Sequence, residues 1–410
     1  MIIKYRTWVV SELYHPEQTS TGYFLTRIAE GLAEYHNVSV ICSQPTYSSR
    51  GQKVLFKEVL NGVHIHRCWS TTFNKDVFPL RILNILTITL SIFLKGLQCF
   101  HKNDNVFVVT NPPLLPFAVW IAAHIRHAKC CLIIHDIYPE ILMATGIAKT
   151  GSWIVRLIAW LTHQLYKRMA GIIVLGRDMA ALVQNKLNNI NKPIQIIPNW
   201  ADYDFIRPSN RLAHPLLEKL KLADKFIIQY SGNIGRTHGI EQLAVCAEQL
   251  NGNPAVHFLF IGFGGKKRWL THHVKQHGLS NITILDYQPR GELPISLTAC
   301  DVSVISFMAG MAGVSVPSRM YNVMAAGKPI IAVAEPDSEL ALVVREEDIG
   351  WVVSPGDSEG LRTVILEAYA NPDQLAQMGQ RARHAAETRY TLEKVIRAYH
   401  DMVTSLDERT

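Results

Sequence analysis

Apolar runs of four to six residues alternate along the whole chain with longer stretches in which apolar positions recur every third or fourth residue. The short runs predict strands near 5–10, 37–41, 63–66, 105–109, 130–134, 171–175 and 194–197. The longer stretches predict helices near 21–35, 80–100, 114–127, 151–168 and 177–187. After Pro198 the text PNWADYDFIRPS is turn-rich and without period, as an interdomain linker would be. Strands recur near 225–230, 256–261, 282–285, 301–306 and 329–333, again with helices between them. Strict alternation of this kind predicts an α/β protein with parallel sheets. The expected organisation is two Rossmann-like, doubly wound domains, 1–200 and 201–385. The helical tail, from about 372, is expected to cross back to the first domain over 386–410.

The segment LRILNILTITLSIFLKGLQCF, residues 80–100, has a different pattern. Its polar residues Asn84, Thr87, Ser91, Lys95 and Gln98 form one narrow stripe at helical period, and the rest is nearly all apolar. The stretch between Arg81 and Lys95 is too short to span a bilayer. Two readings stay open: a core helix buried on most sides, and a monotopic helix resting in the membrane interface.

Composition narrows the class. In 410 residues, 48 % are hydrophobic and 18 % charged, which is globular and on the apolar side. Residues 1–200 hold 20 Lys and Arg against 10 Asp and Glu, whereas residues 201–410 hold 21 against 24. The first half is therefore suited to an anionic partner. It has no basic run interleaved with aromatics and no zinc-finger spacing, so nucleic acid is set aside. A membrane surface or a lipid-linked phosphate fits better, which tilts residues 80–100 toward the interfacial reading. The seven cysteines are scattered without a CxxC pair, as for buried thiols in a reducing cytoplasm. No signal-peptide pattern opens the chain.

Candidate chemistry concentrates between Lys225 and Pro329, where three βα turns carry glycine and cations. KFIIQYSGNIGRTHGIEQL places Gly232, Asn233, Gly235 and Arg236 after a strand; VHFLFIGFGGKKRWL does the same with Gly264 and Lys266; VPSRMYNVMAAGKPI opens a helix at Ser318-Arg319. Glycines admit phosphate oxygens to backbone N–H groups, and Arg binds anions bidentately. Arg319 at a first helical position opposes the helix dipole unless an anion sits there. Ser318 doubles as a good N-cap. All three turns belong to one carboxyl edge of a parallel sheet. In the first half, Gly22 lies in the Thr/Ser-rich loop QTSTGYFL, where Ser20 or Thr21 could be an ordinary N-cap. His135-Asp136 ends the apolar strand KCCLII, and Glu140 follows as a group that could activate a hydroxyl or cap a helix. Asp202-Tyr203-Asp204 spells DxD but falls in the linker, so it is rejected as a metal site. No other carboxylate or His/Cys cluster shows ligand spacing. A dinucleotide fingerprint after the first strand is also missing.

These segments resemble the retaining glycosyltransferase family 4 enzymes of GT-B fold. The resemblance is carried by SELYHPEQTSTGYFLTRIAEGLAE, HDIYPE, IPNWAD, SGNIGR, IGFGG and PSRMYNVMAAGKPI, which together cover nearly the whole chain. Within the family the chain looks most like bacterial O-antigen and colanic-acid type transferases, particularly those of amino-deoxy sugars such as L-fucosamine. The resemblance implies a UDP-sugar donor on the second domain, with no other cofactor and no metal. It also implies a lipid-linked saccharide acceptor on the first domain, and a location on the cytoplasmic face of the bacterial plasma membrane. His135, Asp136 and Glu140 would be catalytic. Gly22, Gly232, Asn233, Gly235, Arg236, Gly264, Lys266, Ser318, Arg319 and Asn322 would bind the donor. Two departures stand out. The family's paired glutamates correspond to Val314 and Asn322, and its Arg…Lys diphosphate clamp corresponds to Asn233 and His238, leaving Arg236 to supply the charge. Two rivals remain: a nucleotide-sugar 2-epimerase of the same architecture, and a non-catalytic membrane scaffold.

Overall fold

The computed structural model describes residues 4–408 except 47, 48, 50, 75, 76, 189 and 212. The chain divides into two compact units. The first comprises Met1–Pro139, Thr150–Pro198 and Glu393–Thr410, and the second Glu140–Lys149 and Asn199–Leu392.

The first unit is built on eight strands: β1 (Arg6–Val10), β2 (Asn37–Ser43), β3 (Lys57–Leu60), β4 (Val63–Cys68), β5 (Asn105–Val109), β6 (Lys129–Ile133), β7 (Gly171–Val174) and β8 (Ile194–Ile196). Their order is β3-β4-β2-β1-β5-β6-β7-β8, parallel apart from the β3–β4 hairpin. The central strands β5 and β7 are buried along their full length, as expected where helices cover both faces of a parallel sheet. The sequence reading missed β3. Its signal was Asn61-Gly62, where both residues take positive φ (49° and 80°), as a two-residue hairpin turn requires.

The C-terminal helix Leu392–Glu408 belongs to this unit and is fitted closely to it. A Cβ on Gly31 would lie 2.5 Å from Ile396 Cγ1, and one on Gly171 would lie 2.1 Å from Met402 Cε. Lys129 Nζ also donates to the Leu406 carbonyl at 3.0 Å. Residues 386–392, expected to start the returning helix, instead stay with the second unit. The helix Pro372–Thr388 buries Ala382, Ala385 and Ala386 in the core there, which places the crossing later than the periodicity suggested.

The helix Phe78–Cys99 is amphipathic and turns the Asn84 end of its polar stripe inward, while Gln98 at the other end is exposed. Asn84 Oδ1 accepts from Thr71 Oγ1 at 2.8 Å and from Phe73 N at 3.0 Å, and Asn84 Nδ2 donates to Phe73 O at 3.0 Å. Thr87 Oγ1 accepts from Thr71 N at 3.2 Å. Asn84, Ile88, Ile92 and Gly96 form the buried row, while Phe78, Ile82, Leu83, Leu86, Leu90 and Leu94 are exposed. A core helix buried on most sides is therefore not what forms. By length and composition alone this helix could cross a membrane, but its inner row is hydrogen-bonded to its own unit. It packs beside Leu115–Ile125, which exposes Ile121 and Ile125. The Arg168 guanidinium, 5.5 Å from the Trp120 ring centroid, links that helix to Trp153–Arg168, where Trp153, Leu157 and Trp160 are exposed.

The second unit holds six parallel strands: β9 (Phe226–Ser231), β10 (Val256–Ile261), β11 (Ile282–Leu285), β12 (Val302–Ser306), β13 (Ile330–Val333) and β14 (Gly350–Val353). Their order is β11-β10-β9-β12-β13-β14. One core layer contains Tyr321, Met324, Val343 and Ala385, and the other contains Tyr230, Leu243, Phe258 and Leu361.

Candidate functional site

In the second unit β10, β9 and β12 are neighbours, so the loops after Ile261, Ser231 and Ser306 emerge side by side. The first two loops are laced together. Gly232 N donates to Ile261 O at 2.9 Å, Ile234 N to Phe263 O at 2.8 Å, and Lys266 N to Ile234 O at 3.0 Å. This contact requires glycine: a Cβ on Gly262 (φ 150°) would lie 1.9 Å from Gly232 O, and one on Gly264 (φ 151°) 2.4 Å from Ile234 O. Loop-to-loop packing thus explains Gly262, and also Gly264, which the sequence reading gave to phosphate approach. The Gly232 amide is likewise engaged with protein. By contrast, the amides of Gly235 and Arg236 have no hydrogen-bond partner among the described residues, and the Arg236 side chain is exposed and unpaired. Asn233 is exposed beside it. The helix after this loop starts at Ile240, four residues beyond Arg236, so the arginine stands on a turn rather than at a helix end.

Arg319 reaches the same loop from the helix Arg319–Ala325. Its Nη1 donates to Ser231 O at 3.3 Å, and its guanidinium lies 4.7 Å from the Tyr230 ring centroid. A Cβ on Gly232 would come within 2.7 Å of Arg319 Nη1. These contacts hold Arg319 at the helix start without an anion, although the charge still faces the carboxyl edge of the strands. Ser318 makes no side-chain cap, so capping does not account for it. Asn322 is half-buried one turn along, and Val314 is buried in the core, so no carboxylate stands where the family's first glutamate would be. Lys266 Nζ is ion-paired with Glu241, which divides its charge between that partner and any ligand. His238 stacks on Phe307 with ring centroids 5.5 Å apart. Burial, with the nearby Arg319 and Lys266 charges, pushes its pKa well below the usual range. His238 is therefore neutral at pH 7 and adds no positive charge.

Sequence reasoning missed two supports. Tyr230 OH donates to Asn233 O at 2.6 Å, bracing the loop from below. Glu335 accepts from Gly310 N at 2.9 Å and from Ala312 N at 2.7 Å, fixing the Gly/Ala loop after β12. A carboxylate some 25 positions downstream leaves no local sequence signal.

In the first unit His135 and Asp136 follow β6. Thr110 Oγ1 accepts from both backbone amides, at 3.1 and 3.4 Å. Burial of the imidazole pushes the His135 pKa down to about 4, so it is neutral near pH 7. Burial, with the negative charge of Asp136 added to it, raises the Tyr138 phenol. Gly22 lies in the first turn of the helix Ser20–Ala33, whose N-cap is Thr19 rather than Ser20 or Thr21. The Gly22 amide donates to Thr19 Oγ1 at 3.2 Å. A Cβ there would meet Glu17 O at 2.8 Å. Packing and capping therefore already use Gly22.

The family model for glycosyl transferases group 1 matches residues 216–385, and that for the glycosyl transferase 4-like domain matches residues 21–200. The probable glycosyltransferase WbjE of Pseudomonas aeruginosa is 32 % identical over 375 residues, covering 88 % of this chain and 89 % of the relative. The chain belongs to the group 1, family 4-like glycosyltransferases. The putative colanic acid biosynthesis glycosyl transferase WcaI of Escherichia coli (strain K12) is 25 % identical over 398 residues, covering 94 % and 96 % of the two chains. Among solved structures, HepE of Anabaena, in complex with UDP-glucose, matches with a TM-score of 0.73 at 15 % identity, covering 98 % of this chain and 99 % of that one. The two Rossmann-like parallel-sheet units are those of the GT-B fold.

In this glycosyltransferase Glu140 is assigned to a different unit from His135 and Asp136. It opens the short helix Glu140–Ala144, which is grouped with the second unit, and Ile141 and Ala144 pack against the core there. Two of the three DxD residues, Asp202 and Tyr203, are used structurally. Asp202 Oδ2 pairs with Arg290 Nη2 at 2.6 Å, and Tyr203 packs on the core. The expectation that no cluster has ligand spacing needs correction, because ligand atoms of Glu248, His273 and His277 lie within 4.8 Å of one another. The signal was present as H-x-x-x-H, two histidines one helical turn apart.

Proposed function

We propose that this glycosyltransferase moves an N-acetylated amino-deoxy hexose such as L-FucNAc, with retained configuration, from a UDP-sugar to a lipid-linked saccharide. It would work on the cytoplasmic face of the bacterial plasma membrane, in assembly of an O-antigen type surface polysaccharide. The observation that carries the donor half is the Gly235-Arg236 turn, with two unpartnered amides and an unpaired guanidinium at the strand edge that Arg319 also faces. Those groups suit a diphosphate, and they would stabilise the charge that develops as it leaves. The similarity to HepE, solved with UDP-glucose, supports uridine. WcaI, named for colanic acid biosynthesis, supports a polysaccharide product.

Neutral His135 would exchange hydrogen bonds with sugar hydroxyls, and Asp136 would stabilise positive charge at the anomeric carbon. In a front-face reaction the leaving phosphate takes the acceptor proton. Arginines and amides would do this without a metal. Membrane contact is supported by the uncovered apolar faces of Phe78–Cys99, Leu115–Ile125 and Trp153–Arg168, flanked by Arg81, Arg126, Arg156 and Lys167. The test is transfer by purified protein, in EDTA, from a panel of UDP-sugars to lipid-linked saccharides. Turnover of a UDP-sugar without acceptor would instead mark an epimerase. Absence of UDP binding would mark a scaffold.

A further inference from the structure

The helices that follow β9 and β10, Ile240–Gln249 and Lys267–Gln276, pack against each other. Near their carboxyl ends three side chains converge. His273 and His277 stack with ring centroids 4.3 Å apart, and Trp269 stacks on His273 at 5.1 Å, restricting that ring. Glu248, from the other helix, accepts from or faces both: Oε1 is 2.9 Å from His277 Nδ1, and Oε2 is 3.6 Å from His273 Nε2. That second nitrogen is buried without a hydrogen-bond partner. A simple His–Glu hydrogen bond needs only His277, yet His273 Nε2 is held 3.6 Å from the same carboxylate, beyond hydrogen-bond reach.

Two imidazoles and one carboxylate are a common zinc donor set. Ligands at about 2.0–2.2 Å from a tetrahedral ion lie roughly 3.3–3.5 Å apart. The three ligand atoms already lie within 4.8 Å, so small side-chain rotations would close the site. We propose that Glu248, His273 and His277 bind one zinc ion, with water completing the coordination. The ion would join two consecutive βα units at the helix ends remote from the Gly-rich loops, since helices in this fold end at the amino edge of the sheet. It would act as a structural clamp and take no part in sugar transfer.

The experiment uses the untagged full-length protein, stripped with EDTA and dialysed. Zinc titrated calorimetrically should bind one equivalent with micromolar affinity and raise the Tm. Cobalt(II) should give the intense visible band of a tetrahedral site. The double variant His273→Ala/His277→Ala should lose both signals, and Glu248→Gln should weaken zinc binding. A fold check in EDTA separates lost binding from unfolding. If the double variant is unfolded, the wild-type cobalt spectrum decides alone, since a six-coordinate spectrum would overturn the assignment. Zinc binding that survives in a folded double variant would also overturn it, as would no binding at all.

Discussion

Arg236→Ala offers the sharpest test, because the structure separates its effect on binding from its effect on folding. The side chain is exposed and makes no ion pair or hydrogen bond with the described residues. Folding stability should therefore change by no more than about 0.5 kcal/mol, the range for surface substitutions away from special features. A hydrogen bond to a charged group is worth about 1.5–3 kcal/mol, and an exposed partner belongs at the low end. About 1.4 kcal/mol corresponds to a tenfold loss in affinity. Calorimetric titration of UDP in EDTA should thus show a Kd about tenfold weaker, with an unchanged Tm. The loss should shrink as salt rises, because screening already weakens an exposed contact. Arg397→Ala removes the same charge from the C-terminal helix and should leave the Kd unchanged. An Arg236→Ala Kd within about twofold of wild type, at a resolution of about 0.4 kcal/mol, would refute the assignment of the diphosphate to this turn. So would an equal loss in the Arg397 control.

Other predictions follow from the same geometry. Gly262→Ala should destabilise the second unit and weaken UDP binding together, because its Cβ would collide with Gly232 O at 1.9 Å; Tm and Kd measured on one sample check this. Leu86→Glu/Leu90→Glu should reduce sedimentation with anionic vesicles by at least about tenfold, since each buried Leu contributes about 1.5–3 kcal/mol, while the Tm stays near wild type. Asn84→Leu, on the opposite face, should lower stability by about 1–3 kcal/mol through unpaired groups at Thr71 and Phe73, without weakening vesicle binding. His135 and His257 are both held down to about 4 by burial, whereas unfolded His titrates near 6.5. The unfolded chain therefore binds more protons between these values, and stability should fall as pH drops from about 6.5 to 4. Urea midpoints across that range should show a smaller fall in His135→Gln, and no pH dependence there would contradict the burial argument.

The α/β class and the strands other than β3 and β14 were legible because buried parallel strands read as unbroken apolar runs, as VFVV and VHFLFI do. The return of the C-terminal helix was legible in outline, but its start was not, since the alanines of Pro372–Thr388 read alike whichever core they enter. At the site, the glycine-rich turns located the strand edge correctly, yet several glycines proved to serve the contact between loops. A glycine in sequence records that something approaches closely; it does not say whether that is a phosphate or another stretch of backbone. Lys266 shows the same limit for charge, because Glu241 is adjacent only once the helix after β9 has formed.

The helix Phe78–Cys99 carries this point furthest. Helical periodicity measures the angle between polar and apolar faces, and that angle is the same whichever face turns inward. What fixes the direction is a partner for the polar stripe, here the Thr71–Phe73 backbone and the Thr71 hydroxyl. Asn84 makes three hydrogen bonds there that water would otherwise supply, so turning it outward would leave Phe73 N and O unpaired near the protein. The apolar face must then be exposed, and six large apolar side chains on one helix are a patch that water penalises. A neighbouring face, on Trp153–Arg168, adds two exposed tryptophans, the residue type suited to the boundary between lipid and water. The inward Asn84 and the outward patch are thus one structural decision, and they are why Asn84→Leu and Leu90→Glu are expected to separate stability from membrane binding.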